Sequence, residues 1–123
     1  MSRKIWIGCV LIGALLLSAC SGVVFNGNRT GNSSQLLMDY SVLNRSDSQI
    51  FGLEKGDVVQ FEIVSKSGKL DVSLSLEGGK SVYEGKNVPT GSFTVTVNKS
   101  GKYKCEVVGH KAQGSVKIEK EGN

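Results

Sequence analysis

Three thiols and one imidazole, Cys9, Cys20, Cys105 and His110, are the side chains with the most reactive chemistry in this 123-residue sequence. A single His excludes any two-histidine metal site, and thiols this far apart form no paired ligand spacing for zinc. His110 stands in Gly109-His110-Lys111-Ala112-Gln113-Gly114, which reads as a turn. A general base there would need a nucleophile and an orienting acid supplied by the fold, and no spacing selects one among Ser100, Ser115 and Glu106. Gly79-Lys80-Ser81 has the tail of a phosphate-cradling loop, but Leu74 stands where that motif needs its first glycine, and the context is a strand end. The acids Asp39, Asp47, Asp57, Asp71 and Glu84 lack the close alternation of a calcium loop. The expectation is a protein that is not an enzyme and has no cofactor and no metal site.

Cys20 sits in a different context. Arg3 and Lys4 precede an apolar run over residues 5–17 (IWIGCVLIGALLL). As a helix the run spans about 20 Å at ~1.5 Å per residue, short of the roughly 30 Å of a bilayer core, so it reads as the apolar core of a secretory signal. It ends in Leu17-Ser18-Ala19-Cys20, which resembles the lipobox of bacterial lipoproteins residue for residue. The resemblance implies diacylglyceryl attachment to the Cys20 thiol, cleavage between Ala19 and Cys20, and a mature chain anchored by lipid on the extracytoplasmic face of a bacterial cell membrane. An ordinary cleaved signal peptide is the other reading. Two or three acyl chains on one cysteine would hold the protein permanently where a single chain binds only marginally. Loss of Arg3 and Lys4 takes Lys plus Arg from 15 to 13 against 11 acids, leaving about +2. That is no nucleic-acid footprint. The expected partners are membrane lipid through Cys20 and a protein or anionic envelope polymer.

Residues 1–19 are therefore assigned to the signal peptide, residues 20–35 to the lipidated cysteine and a flexible tether, and residues 36–123 to one domain. The tether reading rests on Gly, Asn and Ser in SGVVFNGNRTGNSSQ, a composition too polar to offset backbone entropy. Its apolar patch Val23-Val24-Phe25 could dock on the domain or lie among headgroups. Beyond residue 35 the hydrophobic period is two. Leu70, Val72, Leu74 and Leu76 alternate with polar residues, as do Val59, Phe61 and Ile63, then Phe93, Val95 and Val97, then Tyr103, Cys105 and Val107. Ser65-Lys66-Ser67-Gly68 and Asn98-Lys99-Ser100-Gly101 have turn chemistry and are expected to close two hairpins. Weaker strands are expected over residues 36–43, 50–53, 81–83 and 115–119. The predicted fold is all-β: an antiparallel two-sheet, jelly-roll-like sandwich of seven to eight strands, with an open barrel as the alternative.

Gly56-Asp57-Val58-Val59-Gln60-Phe61-Glu62-Ile63, with Gly91-Ser92-Phe93-Thr94-Val95 and the segment from Ser100 to Val107, is similar to small extracytoplasmic sandwiches of the GOLD type and of bacterial pre-peptidase C-terminal domains. The resemblance spans about residues 50–118 and implies an interaction or accessory module, with no catalytic residues to carry over. Cys105 alternates in phase with Tyr103 and Val107 and should point inward as a small hydrophobe; a redox or intermolecular thiol is the alternative. Phe61, Phe93 and Tyr103 have core phase. Tyr83 and Tyr40 remain as candidate exposed aromatic contacts. Lys102 and Lys104 are candidate contacts for an anionic ligand, within a lysine-rich last quarter that also suits edge protection.

Overall fold

A computed structural model of the chain describes residues 23–122; the expected signal peptide, the Ala19–Cys20 cleavage point and Cys20 itself lie outside them. The described chain is all-β, with seven strands: β1 (Phe25–Asn32), β2 (Gln35–Leu43), β3 (Ser46–Leu53), β4 (Val58–Leu76), β5 (Ser81–Gly85), β6 (Gly91–Thr96) and β7 (Gly101–Lys120). All pairings are antiparallel within one continuous hydrogen-bonded sheet.

The sheet is folded over on itself, and the sequence period shows where. The inward residues of β4 are Val59, Phe61 and Ile63 in its first half but Leu70, Val72 and Leu74 in its second, a change from odd to even positions. In β7 the phase slips likewise between Tyr103, Cys105, Val107 and Ala112, Val116, Ile118. One side of a strand faces the core only if successive side chains alternate, so each slip demands an extra residue. The β4–β7 register breaks between Ser65 and Lys69, and the β2–β7 register breaks between Tyr40 and Leu43. These bulges form a crease crossing three strands. On one side of it lie β1, β2, the end of β7, the start of β4 and β6; on the other lie β3, the start of β7, the end of β4 and β5. The two layers share one apolar core that includes Leu36, Phe51, Phe61, Leu74, Tyr103 and Ile118, each at most 1% exposed. Strands that pass from one layer to the other through bulges are a recognised way to turn a sandwich corner.

Three local expectations are corrected. Ser65-Lys66-Ser67-Gly68 is not a hairpin turn but the bulged centre of β4, and Gly109–Gly114 is the bulged centre of β7. Turn residues serve here because a crease needs the same left-handed backbone as a turn: φ is 72° at Gly68 and 53° at Lys111. A Cβ on Gly68 would overlap the backbone carbonyl of Lys111. Second, β6 pairs with β4 and not with β7, so residues 97–100 arch from one layer to the other. That arch is pinned by the buried Tyr103, whose hydroxyl donates to the Lys99 carbonyl at 2.7 Å. Third, most of the expected tether is strand: Phe25–Asn32 pairs along its full length with β2. Its polar composition is compatible with an edge strand whose side chains are largely exposed, since the backbone bonds to β2 and Arg29 hold it without a core.

Candidate functional site

At the crease the chain gathers charge from three elements. Lys69 and Asp71 follow the bulge of β4, His110 and Lys111 form the bulge of β7, and Lys86 and Asn87 lead out of β5. Together with Gly68 they line an open cleft of about 720 Å³. Asp71 is its hub. One carboxylate oxygen, Oδ1, accepts the Asn87 backbone N–H at 2.9 Å, and the other lies 3.0 Å from His110 Nε2. A carboxylate only accepts, so the imidazole hydrogen sits on Nε2. Lys86 Nζ lies 4.0 Å from Asp71 Oδ2. The Asn87 N–H, with help from His110 and Lys86, holds the Asp71 carboxyl below its ordinary pKa against the opposing effect of burial, so it is ionised at neutral pH.

The backbone is strained at the same place. Asn87 (φ 49°) and Lys111 (φ 53°) are the non-glycine residues with positive φ among the described residues, and both line this cleft. Each left-handed N–H is held by a side-chain oxygen: Asn87 by Asp71, and Lys111 by Asn44 Oδ1 at 3.0 Å. A left-handed non-glycine residue costs about 1–2 kcal/mol, and such strain concentrates where side chains must be aimed. The cleft carries three lysines and a histidine around one acid that is already bonded. It can hold an anion by charge and N–H donation. A smaller neighbouring cleft of about 170 Å³ shares Asp71 and Lys86 but adds Glu84 and Glu106, so the positive field is confined to the crease.

Of the residues singled out in the sequence, His110 and Asp71 line this cleft, while the candidate contacts and the thiol fall elsewhere. Tyr40 is not an exposed contact: it is 3% exposed in the core, and burial, assisted by the Asp39 charge, raises its hydroxyl pKa to about 12. Its ring is on the inner face because Tyr40 continues the alternation of the buried Leu36 and Met38 along β2. Tyr83 is half-buried, its ring 4.9 Å from that of Phe93 and 5.6 Å from that of Phe61. Lys102 and Lys104 are exposed on the start of β7, away from the crease, and Lys104 pairs with Glu106 at 3.7 Å. Cys105 is 0% exposed, and burial, followed by the nearby Glu106 charge, raises its thiol to about 12, far from a reactive thiolate. His110 finds its acid in Asp71, which no sequence spacing suggested; no serine or threonine hydroxyl bonds it among the described residues. The signal that could have located the cleft was the double phase slip, since it placed Gly68 and Lys111 at one crease.

No family model matches the chain, and no curated protein matches it. Among solved structures it is similar to the Aeromonas hydrophila PliG, a periplasmic lysozyme inhibitor of g-type lysozyme, with 13% identity, TM-score 0.49, and coverage of 83% of this chain and 90% of that one. It is also similar to a CBM4 structure, with 8% identity, TM-score 0.43, and coverage of 85% and 83%. A third likeness is to accessory secretory protein 1, 2 and 3 of Streptococcus pneumoniae, with 9% identity, TM-score 0.37, and coverage of 82% and 90%. At such identities and scores neither activity nor ligand transfers.

Proposed function

We propose that this protein is a lipid-anchored, extracytoplasmic binding module of a bacterial envelope, and that its crease cleft takes an anionic envelope component. The observation that carries this reading is the convergence of Lys69, Lys86, Lys111 and His110 on one cleft whose single lining acid, Asp71, is already engaged. Cations held a few ångströms apart raise the local concentration of a polyanion and bind it in a salt-dependent way. Binding, and not catalysis, is also favoured by the buried, protonated Cys105 and by a His110 whose described partner is a carboxylate. Leu17-Ser18-Ala19-Cys20 supports the anchor, and the resemblance to GOLD and pre-peptidase C-terminal domains supports an accessory role.

The test is twofold. Intact mass of membrane-extracted protein should equal residues 20–123 plus a diacylglyceryl group, absent from a Cys20→Ser variant. Retention on an immobilised poly(glycerol phosphate) column should fall with rising salt and be largely lost in a Lys69→Gln/Lys86→Gln/Lys111→Gln variant, but kept when Lys102 and Lys104 are changed to Gln. Equal retention of the two variants would remove the cleft from the function, and no retention of the wild type would leave a structural lipoprotein without a discrete ligand.

A further inference from the structure

The chain emerges beside the cleft. Asn44 donates its backbone N–H to the Val24 carbonyl at 2.7 Å, and the same residue's Oδ1 holds the Lys111 N–H at 3.0 Å. One residue thus separates the start of the described chain from the wall of the cleft. Phe25, the first residue of β1, lies under the Arg45 guanidinium, 4.9 Å from ring centroid to carbon. Cys20 is three residues from Val23, and three residues reach at most about 11 Å. If Cys20 carries lipid, no long tether intervenes and the crease end must sit at the membrane surface.

That end has the composition of a surface that meets anionic headgroups. It carries Arg45, Lys66, Lys69, Lys86 and Lys111 against Asp47 and Asp71, while the other eight cations and nine acids of the mature chain nearly cancel. The loops at the opposite end, residues 54–57, 77–80 and 97–100, hold Glu54, Asp57 and Glu77 against Lys55, Lys80 and Lys99. Glu84 and Glu106 lie beside Ser73, further along the strands from the crease than Asp71. Five large apolar side chains are exposed among the described residues, and three of them, Val23, Val24 and Val64, are at the crease end. Cations with scattered apolar side chains next to an acyl anchor are the elements of interfacial binding, in which one signal alone is weak and two hold.

We infer that the anion taken by the crease cleft is the headgroup layer of the leaflet that holds Cys20, so that the sandwich stands on the membrane on its crease, with Lys66, Lys69, Lys86 and Lys111 against anionic phospholipid and the opposite loops turned away. This rests on the anchored, anion-binding reading above and names its partner. From Leu70 to Leu76 the second half of β4 rises about 20 Å. That distance is beyond the roughly 8–10 Å Debye length, so Lys80 and Lys99 do not feel the surface.

The test is lysine acylation read by mass spectrometry on the lipidated protein reconstituted into phosphatidylglycerol vesicles and into phosphatidylcholine vesicles. On the anionic vesicles Lys66, Lys69, Lys86 and Lys111 should react several-fold more slowly than on the neutral ones, Lys80, Lys99 and Lys102 should react alike on both, and high salt should erase the difference. Changing Lys69 and Lys86 to Gln should weaken the protection of Lys111, bringing its rates on the two vesicles close to equal. Equal reactivity at both ends on both vesicles, with the diacylglyceryl mass present, overturns the headgroup docking; salt-sensitive retention on the polymer column would then show that the cleft serves a polymer and leave the functional reading standing. Absence of the diacylglyceryl mass, or loss of polymer retention, counts against the reading itself, and is seen in measurements separate from the lysine rates.

Discussion

The folded sheet has two open sides, and the chain closes them with opposite chemistry. Between β5 and β6 the closure is aromatic: Phe61 stacks on Phe93 at 4.8 Å with planes 8° apart, and Tyr83 tilts against both. Between β1 and β3 it is polar. Arg29 donates to Asp47 Oδ1 at 3.0 Å, to the Ser48 carbonyl at 2.8 Å and to Gln49 Oε1 at 3.0 Å, while Arg45 reaches the other Asp47 oxygen at 3.3 Å. The Gly52 N–H completes this side with a bond to the Ser33 carbonyl at 2.9 Å. Rings exclude water and gain from area and offset geometry whatever the ionic strength. A guanidinium fork fixes direction and register but is screened and partly repaid by solvent. The first seam therefore carries stability, and the second carries placement of an edge strand that has almost no core of its own. Gly31 is part of the second device, because a Cβ there would meet the Gln49 side chain.

The comparison can be broken at several strengths. Phe61→Ala should have the largest effect, a loss of about 3–5 kcal/mol in urea unfolding that salt leaves unchanged, since Phe61 is 0% exposed and supports both neighbouring rings. Gly114→Ala touches neither seam but the crease that brings the layers together. Its Cβ would overlap the Val64 carbonyl at a φ of 145°, and about 3 kcal/mol should be lost; a loss below about 1 kcal/mol would show that the crease yields. Arg29→Met should lower stability by about 1 kcal/mol at low salt and by less at high salt. An effect as large and as salt-independent as that of Phe61→Ala would erase the distinction between the seams.

Asp71→Asn should have the smallest effect and should be sensitive to pH. The Asp71 carboxyl is held below its ordinary pKa, so its contribution is complete above about pH 4 and is lost as pH falls through the lower folded-state value. The difference in unfolding free energy between wild type and variant should stay below about 1 kcal/mol at neutral pH and vanish in acid. A difference that grows on acidification would contradict the sign of that shift.

Much of this fold was legible in residue order. Alternation at Leu70–Leu76 and at Tyr103–Val107 located the inner faces, including that of Cys105, because period two is a local property of a strand. The crease was misread as turns for a physical reason: Gly, Ser and Lys with left-handed backbone serve a hairpin and a bulge equally. The expected tether was misread because an edge strand held by β2 and by one arginine fork needs no apolar stripe. The cleft was hidden more deeply. Asp71 and His110 are 39 positions apart and meet because β4 and β7 pair in one register, with Lys69 opposite His110. Lys102 and Lys104 drew attention by local density, yet the convergent lysines come from three elements.

The sequence by itself determined that this chain is all-β, that its thiol at Cys105 faces inward, and that a signal-like segment ending in Leu17-Ser18-Ala19-Cys20 precedes the domain. Each of these follows from neighbours within a few residues, where strand periodicity and hydrophobic length act. Only the tertiary structure decided that β4 and β7 run unbroken through a crease, that one seam is aromatic and the other ionic, and that the cations gather where the chain emerges. Those outcomes depend on the register between strands far apart in the chain, which pairing and layer packing set together.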